Sequence, residues 1–276
     1  EKAFACCSSL SRISVEKGNT AFSSNRGVLF SRDGSLLIQY PAGKTDTHYA
    51  IPPGTVRIGN YAFYPVGFSS VEIPDSVAAI GKGAFLRCSC LTSVFIPRSV
   101  TEIGAHAFGS CSQLTAFTVE AGNTSYSSAD GVLFSRDGSL LIQYPAGKTD
   151  THYAIPPGTV RIEICAFSNA YPETVSIPEG VAAIGSSAFQ NCNNLKSIVI
   201  PRSVTTIESR AFSECRRLRD ITVRWPTPLA IGEYVFDRRD KTLHVPPGAK
   251  ALYEAADRWK DFETIVEDSD PNVDIL

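Results

Sequence analysis

Apolar positions along the chain recur in a short, fixed order rather than in one long helical or strand-like run. A stretch such as Leu91…Val94-Phe95-Ile96 alternates with period two, which predicts a short strand with Val94 and Ile96 inward and Phe95 outward. Pro97 follows and ends the ladder because it has no N–H to donate; Ser-Val-Thr-Glu-Ile-Gly then carries the chain back. Ala107-Phe108 and Cys111 come next, in a piece long enough for no more than a turn or two of helix. The Phe of this unit recurs at Phe4, Phe63, Phe85, Phe108, Phe167, Phe189, Phe212 and Phe236, with steps of 22 to 24 residues except for two of 59. A second ladder, at Val15, Ile51, Ile73, Ile96, Val119, Ile155, Ile177, Ile200, Val223 and Val245, steps by 22 or 23 wherever no insert intervenes. One such unit cannot bury its own apolar face, so the units must stack. Gly81, Gly104 and Gly185 hold one place in the unit, where a sharp turn or a close approach of neighbouring coils is expected.

The two 59-residue steps have a common origin. Gly27 to Ile58 is identical to Gly131 to Ile162, a shift of 131 − 27 = 104 residues, which reads as a duplication. Inside each copy, two apolar runs flank Ser-Arg-Asp-Gly-Ser, and the Asp-Gly pair predicts β-hairpins at Val28–Tyr40 and Val132–Tyr144. Near the end, Leu252, Ala255, Ala256, Trp259 and Phe262 form a helical stripe after Pro246-Pro247. The chain therefore divides into a repeat solenoid over 1–245, with a 104-residue superrepeat, and a C-terminal helical cap and tail over 246–276.

Composition narrows the field. Of 276 residues 43% are hydrophobic, enough for a packed interior, and 26 basic against 28 acidic side chains give a net charge of −2 with no basic stripe. Nucleic acid and anionic membrane are thus set aside as principal partners, and no apolar run approaches the roughly 18 residues of a membrane span. The absence of Met and the start at Glu1 suggest a trimmed piece with an incomplete first repeat.

Residues with candidate chemistry are few. Cys7, Cys88, Cys111, Cys192 and Cys215 all fall three residues after the repeat Phe, which makes them an internal ladder of small apolar fillers; Cys90 and Cys165 lie off it and are expected to be exposed. A disulfide between adjacent turns is sterically compatible, whereas zinc lacks a paired C-x-x-C. Gly43-Lys44-Thr45 and Gly147-Lys148-Thr149 resemble a phosphate loop but lack its first Gly. His48, His106, His152 and His244 have no partner set by spacing, and Asn123-Thr124-Ser125 is a formal glycosylation sequon.

Taken together, Ile-Pro-x-Ser-Val-x-x-Ile-Gly-x-x-Ala-Phe-x-x-Cys-x-x-Leu resembles the BspA-like leucine-rich repeat family of bacterial surface proteins, from about Ala3 to Val245. The resemblance implies a β-rich α/β fold: a right-handed solenoid with a concave parallel sheet, short 3₁₀ or helical convex turns and, here, two hairpin inserts. About nine regular turns at ~4.8 Å predict a concave sheet of ~43 Å. It also implies an extracellular or cell-surface location and adhesion to a protein or glycan, including host extracellular matrix. Neither catalytic residues nor cofactor nor metal is expected, and a monomer is. The pattern breaks at Glu163-Ile164-Cys165, Glu208 and Trp225-Pro226-Thr227-Pro228, where irregular turns are expected. The residues alternating with the core on the concave strands, Ser14, Glu72, Phe95, Thr118, Ser176, Val199, Thr222 and His244, are the candidate binding face, of which the six from Glu72 to Thr222 form the site. Phe95 and Val199 stand 199 − 95 = 104 apart, so each half carries one apolar contact. A glycan-processing enzyme is the competing reading; its carboxylates, roughly 5–10 Å apart, would have to come from Glu72 and Asp220, which lie many turns apart.

Overall fold

Each repeat contributes two short strands joined by turns. The computed structural model describes residues 4, 7–237 and 240–268. Packing groups the chain into two units, residues 1–148 and 149–276.

In the first unit the leading strands are His48–Ala50 beside Ser70–Glu72 and Ser93–Ile96 beside Ala116–Val119, each pair parallel. These are separate two-stranded ladders, so the single long sheet expected from the sequence is interrupted here. In the second unit the same strands do form one parallel sheet of six: His152–Ala154, Thr174–Ser176, Ser197–Ile200, Asp220–Val223, Thr242–Val245 and Thr264–Glu267. Val94, Ile96, Ile198, Ile200, Ile221 and Val223 point inward and are buried, as the period-two alternation requires.

The return strands run along the opposite side of each turn. Leu36–Gln39, Arg57–Ile58, Ala79–Ile80 and Glu102–Ile103 pair in parallel. The first hairpin extends this return sheet: Val28–Ser31 pairs antiparallel with Leu36–Gln39, with a register shift at Leu29/Phe30. Gly34 takes the positive φ of 78° that its turn demands. A further strand, Phe22–Asn25, adds to the hairpin's outer edge, and Tyr126–Ala129 does the same for the second hairpin at Val132–Ser135 and Leu140–Gln143. Those outer strands are not legible as strands because Phe-Ser-Ser-Asn and Tyr-Ser-Ser-Ala are mostly polar.

Between return strand and leading strand sits the Ala-Phe-x-x-Cys piece, which is a series of turns rather than helix. Left-handed residues recur two before the Phe (Tyr61, His106, Cys165, Ser187, Arg210, Tyr234) and two after it (Arg87, Ser110, Asn169, Asn191, Glu214). A left-handed residue every four positions stops helical hydrogen bonding from propagating. The piece instead bonds to the next turn, as in Phe85 N–H to Ala107 O at 2.7 Å and Phe189 N–H to Ala211 O at 2.7 Å. This stacks the Phe rings face to face. In the first unit Phe63, Phe85 and Phe108 lie 4.8 and 5.2 Å apart with planes within 9°. In the second, Phe167, Phe189, Phe212 and Phe236 lie 4.7, 4.9 and 5.1 Å apart.

At the glycine positions close approach is the reason, not turn conformation. A Cβ on Gly81 would stand 2.7 Å from Asn60 N, and one on Gly185 would stand 2.8 Å from Ile164 N. Glu208 does not disrupt its turn as expected: its N–H still donates to Ile184 O at 3.0 Å, and its carboxylate binds Arg161 and the Ser186 N–H. Ion pairing thus offsets the loss of the glycine. The departure at Trp225 is a true one, since residues 224–235 form no strand and Trp225 folds inward to donate its Nε1–H to Val204 O at 2.8 Å.

The predicted C-terminal stripe is corrected. The helix covers only Lys250–Ala255, Leu252 is 49% exposed, and the buried residue of that helix is Tyr253. Trp259 and Phe262 are buried from the turns that follow, and Thr264–Glu267 then joins the parallel sheet beside Thr242–Val245. The residues beyond 268 lie outside the described part, as do Ala3 and Cys6.

Candidate functional site

The outward positions of the leading strands lie on two separate ladders in the first unit and on one six-stranded sheet in the second. In the first unit Glu72, Phe95 and Thr118 are all exposed, and the register sets Thr118 beside Phe95. Phe95 is 47% exposed, with Ser93 on the same face two residues earlier. A bare phenyl ring on a face of small polar side chains offers a stacking surface at little desolvation cost.

In the second unit the row runs Ser176, Val199, Thr222 and His244. Ser176 is exposed and Val199 half-buried, so the two apolar contacts are unequal. Thr222 is a correction: it is only 8% exposed. Its neighbours across the ladders are Val199 and His244, and the His244 ring leans past it to meet Asp220 at 3.2 Å. The other ring nitrogen lies 3.3 Å from Asp268, which also holds Arg224 at 3.3 Å. This cluster of His244, Asp220, Asp268 and Arg224 was missed because Asp268 reaches it only through the added strand Thr264–Glu267. Toward the other end of each row, His48 Nδ1 meets Ser70 Oγ at 2.9 Å and His152 Nδ1 meets Thr174 Oγ1 at 2.7 Å.

Other expected residues fall elsewhere. Cys88, Cys111, Cys192 and Cys215 are buried, and each thiol donates to the carbonyl of the preceding turn's Phe: Phe63, Phe85, Phe167 and Phe189, at 3.0 to 3.2 Å. Burial, and then the neighbouring thiol, pushes the Cys88 and Cys192 thiols well above their ordinary range. The seven described cysteines are free thiols. Cys7 is exposed, against the ladder expectation. Cys165, expected to be exposed, is 7% exposed, and burial pushes its thiol up to about 11. The sequon has no access in the folded chain: Asn123 is buried, and its Nδ2 donates to Pro97 O and Val100 O at 2.8 and 3.0 Å. Among the described residues no group of three or more His, Cys, Asp or Glu is placed to hold a metal ion, and no helix is long and apolar enough to cross a membrane.

The family model described as BspA type leucine rich repeat region matches six copies, over residues 45–132 and 149–248. The chain belongs to this family. Two solved structures share its leucine-rich-repeat fold. One, a leucine rich cell surface protein from Faecalibacterium prausnitzii, has a TM-score of 0.72 at 24% identity, covering 97% of this chain and 76% of that one. The other, a leucine-rich repeat protein from Eubacterium ventriosum, has a TM-score of 0.64 at 23% identity over 74% of this chain. The BspA-type chain spans 61% of that second protein's length. No curated protein matches the sequence. Members of this repeat family are typically binding scaffolds.

Proposed function

We propose that the chain is a non-catalytic binding protein of the extracellular space or bacterial cell surface, attaching to a protein or glycan through the outward rows of its leading strands. The observation that carries this reading is the exposed ring of Phe95 beside Thr118 on the ladder of Ser93–Ile96 and Ala116–Val119, with Ser93 on the same face and Glu72 exposed on the other ladder of this unit. A rigid face loses little entropy on binding. The cell-surface description of the Faecalibacterium prausnitzii protein supports the location. Val199 and Ser176 offer a weaker second contact, and two linked contacts gain through avidity. The monomeric state and the host-matrix ligand belong to the same proposal.

The test is a pull-down against host matrix proteins and glycans, followed by Phe95→Ser and Val199→Ser, singly and together. The double change should leave the melting temperature within a few degrees and weaken attachment to the captured ligand, with Phe95→Ser the larger single effect. Binding that survives the double change and is lost on altering the hairpin tips at Asp33 and Asp137 would move the site away from the leading strands.

A further inference from the structure

The near-neutral total charge conceals a local imbalance that the duplication exposes. Residues 92–120 and 196–224 are the same stretch of the repeat, related by the 104-residue shift. The first carries Arg98 against Glu102 and Glu120, a net charge of 1 − 2 = −1. The second carries seven basic residues against Glu208, Glu214 and Asp220, a net charge of 7 − 3 = +4. Four of the added cations share one corner of the second unit. Lys196, Arg216, Arg217 and Arg219 stand where the first copy has Thr92, Ser112, Gln113 and Thr115.

All four are exposed, and hydrogen bonds tie them into one surface. The Arg219 N–H donates to Lys196 O at 2.9 Å, placing the two side by side on adjacent turns. Arg219 Nη1 donates to Arg216 O at 3.2 Å, and Arg217 Nη1 reaches Asn194 Oδ1 of the preceding turn at 3.4 Å. Of the carboxylates around this corner, Glu173 holds Lys196 at 2.5 Å, Glu214 accepts from Gln190, Asp237 accepts from the Glu214 N–H and Asp220 faces His244, while Asp240 lies beside Lys241 on the following turn. Among the described residues no ion pair joins Arg216, Arg217 or Arg219 to an acid. At the same corner the first copy closes its hydroxyls on its own carbonyls, as Thr115 Oγ1 does on Thr92 O at 3.1 Å. Three unpaired guanidinium forks in a row repel one another, and what relieves them is an anion that takes two hydrogen bonds from each fork.

We propose that this corner binds a sulfated polysaccharide chain. Sulfate oxygens match the planar forks, and a linear chain can run across both turns. None of residues 193–197 or 216–220 is aromatic, so there is no platform for stacked bases, and the leucines among them, Leu195 and Leu218, are buried, so nothing enters a lipid surface. The proposal deepens the binding reading above and rests on it for the extracellular setting, but it uses a different surface.

The experiment measures binding of a heparin-derived sulfated oligosaccharide to the chain at low and physiological salt. The variant Lys196→Thr/Arg216→Ser/Arg217→Gln/Arg219→Thr carries only residues that the first copy already accommodates, so its melting temperature serves as the folding control. It should bind about tenfold or more weakly and lose most of the salt dependence. The reverse variant, Thr92→Lys/Ser112→Arg/Gln113→Arg/Thr115→Arg, should gain a second site. Equal binding by the corner variant overturns the proposal. So does binding of the desulfated oligosaccharide, a DNA oligonucleotide or phosphatidylserine vesicles as tightly as the sulfated one. Phe95→Ser/Val199→Ser should bind the sulfated probe as wild type does, which separates a failure of this corner from a failure of the leading-strand site.

Discussion

Four thiols in this chain do more than fill space. Each donates a weak S–H hydrogen bond to a Phe carbonyl of the preceding turn, and at Phe85, Phe167 and Phe189 that carbonyl also accepts a backbone N–H, so the thiol adds a second bond between turns that Ala could not make. In the native protein a thiol reagent should reach Cys7 and Cys90 quickly and leave Cys88, Cys111, Cys165, Cys192 and Cys215 unlabelled. Denaturation without reductant should release all eight. Labelling of six or more in the native state, or none after denaturation, contradicts the free buried ladder. The hairpin tips carry a second residue-level prediction. Asp33 and Asp137 each accept from two Ser hydroxyls and one backbone N–H, and these bonds, led by Ser31 and Ser135, lower both carboxyls from 3.8 to about 2. Because the folded value is depressed, the tip's added stability is complete above about 3.8 and is lost as pH falls through about 2. Amide exchange at Ser35 and Ser139 should accelerate across that window beyond the intrinsic rate, and Asp33→Ala with Asp137→Ala should abolish the step.

Each turn of the stack is held at three places: two short strands and the Phe piece between them. None is stable alone, since strands of two to four residues bury too little apolar surface and the turns carry left-handed residues at a cost of roughly 1–2 kcal/mol each. Close backbone approach at glycine is what lets neighbouring turns share these contacts. Gly81 recurs as Gly185 in the second copy, whereas Gly104 is answered by Glu208, so only the former place admits no side chain in either copy. Gly81→Ala should therefore destabilise by about 1–3 kcal/mol, read from urea unfolding, because the Cβ would meet the Asn60 and Gly59 backbone as well as the Asn60 side chain, and the backbone atoms cannot swing aside. An unchanged midpoint would mean that the turns are more loosely stacked than the geometry shows.

For the molecule as a whole the exposed ends of a stack are the weak points, because an end turn has neighbours on one side only. The second unit closes its end with aromatic packing. Trp259 lies 5.4 Å from Tyr253 and 6.0 Å from both Phe236 and Phe262, and its Nε1–H donates to Leu229 O at 2.7 Å. We propose that residues 246–268 serve as the cap of the repeat, built from a short helix, an aromatic plug and a final strand. Trp259→Ala should cost about 3–5 kcal/mol, lower the melting temperature and promote aggregation, since it opens the last Phe of the spine to water. A variant as stable and soluble as wild type would show that the end is sealed by something other than this plug.

Repeat length, inward residues and hairpin turns were all readable from the chain, because stacking makes one local pattern recur until chance is excluded. The Phe and Ile ladders, the Asp-Gly turns and the outward place of Phe95 depend only on neighbours a few residues away or one period away. What could not be read depends on contacts between segments with no fixed period. Thr222 is covered because His244 bends toward Asp220, Cys165 is buried despite being off its ladder, and the C-terminal stripe unwinds after Ala255 so that Trp259 and Phe262 can plug the core while Thr264–Glu267 extends the sheet. Glu208 holds its turn through Arg161, 47 residues away in the chain. Such choices are settled by which partner fills a buried volume or pairs a charge, and that is known only once the turns are stacked.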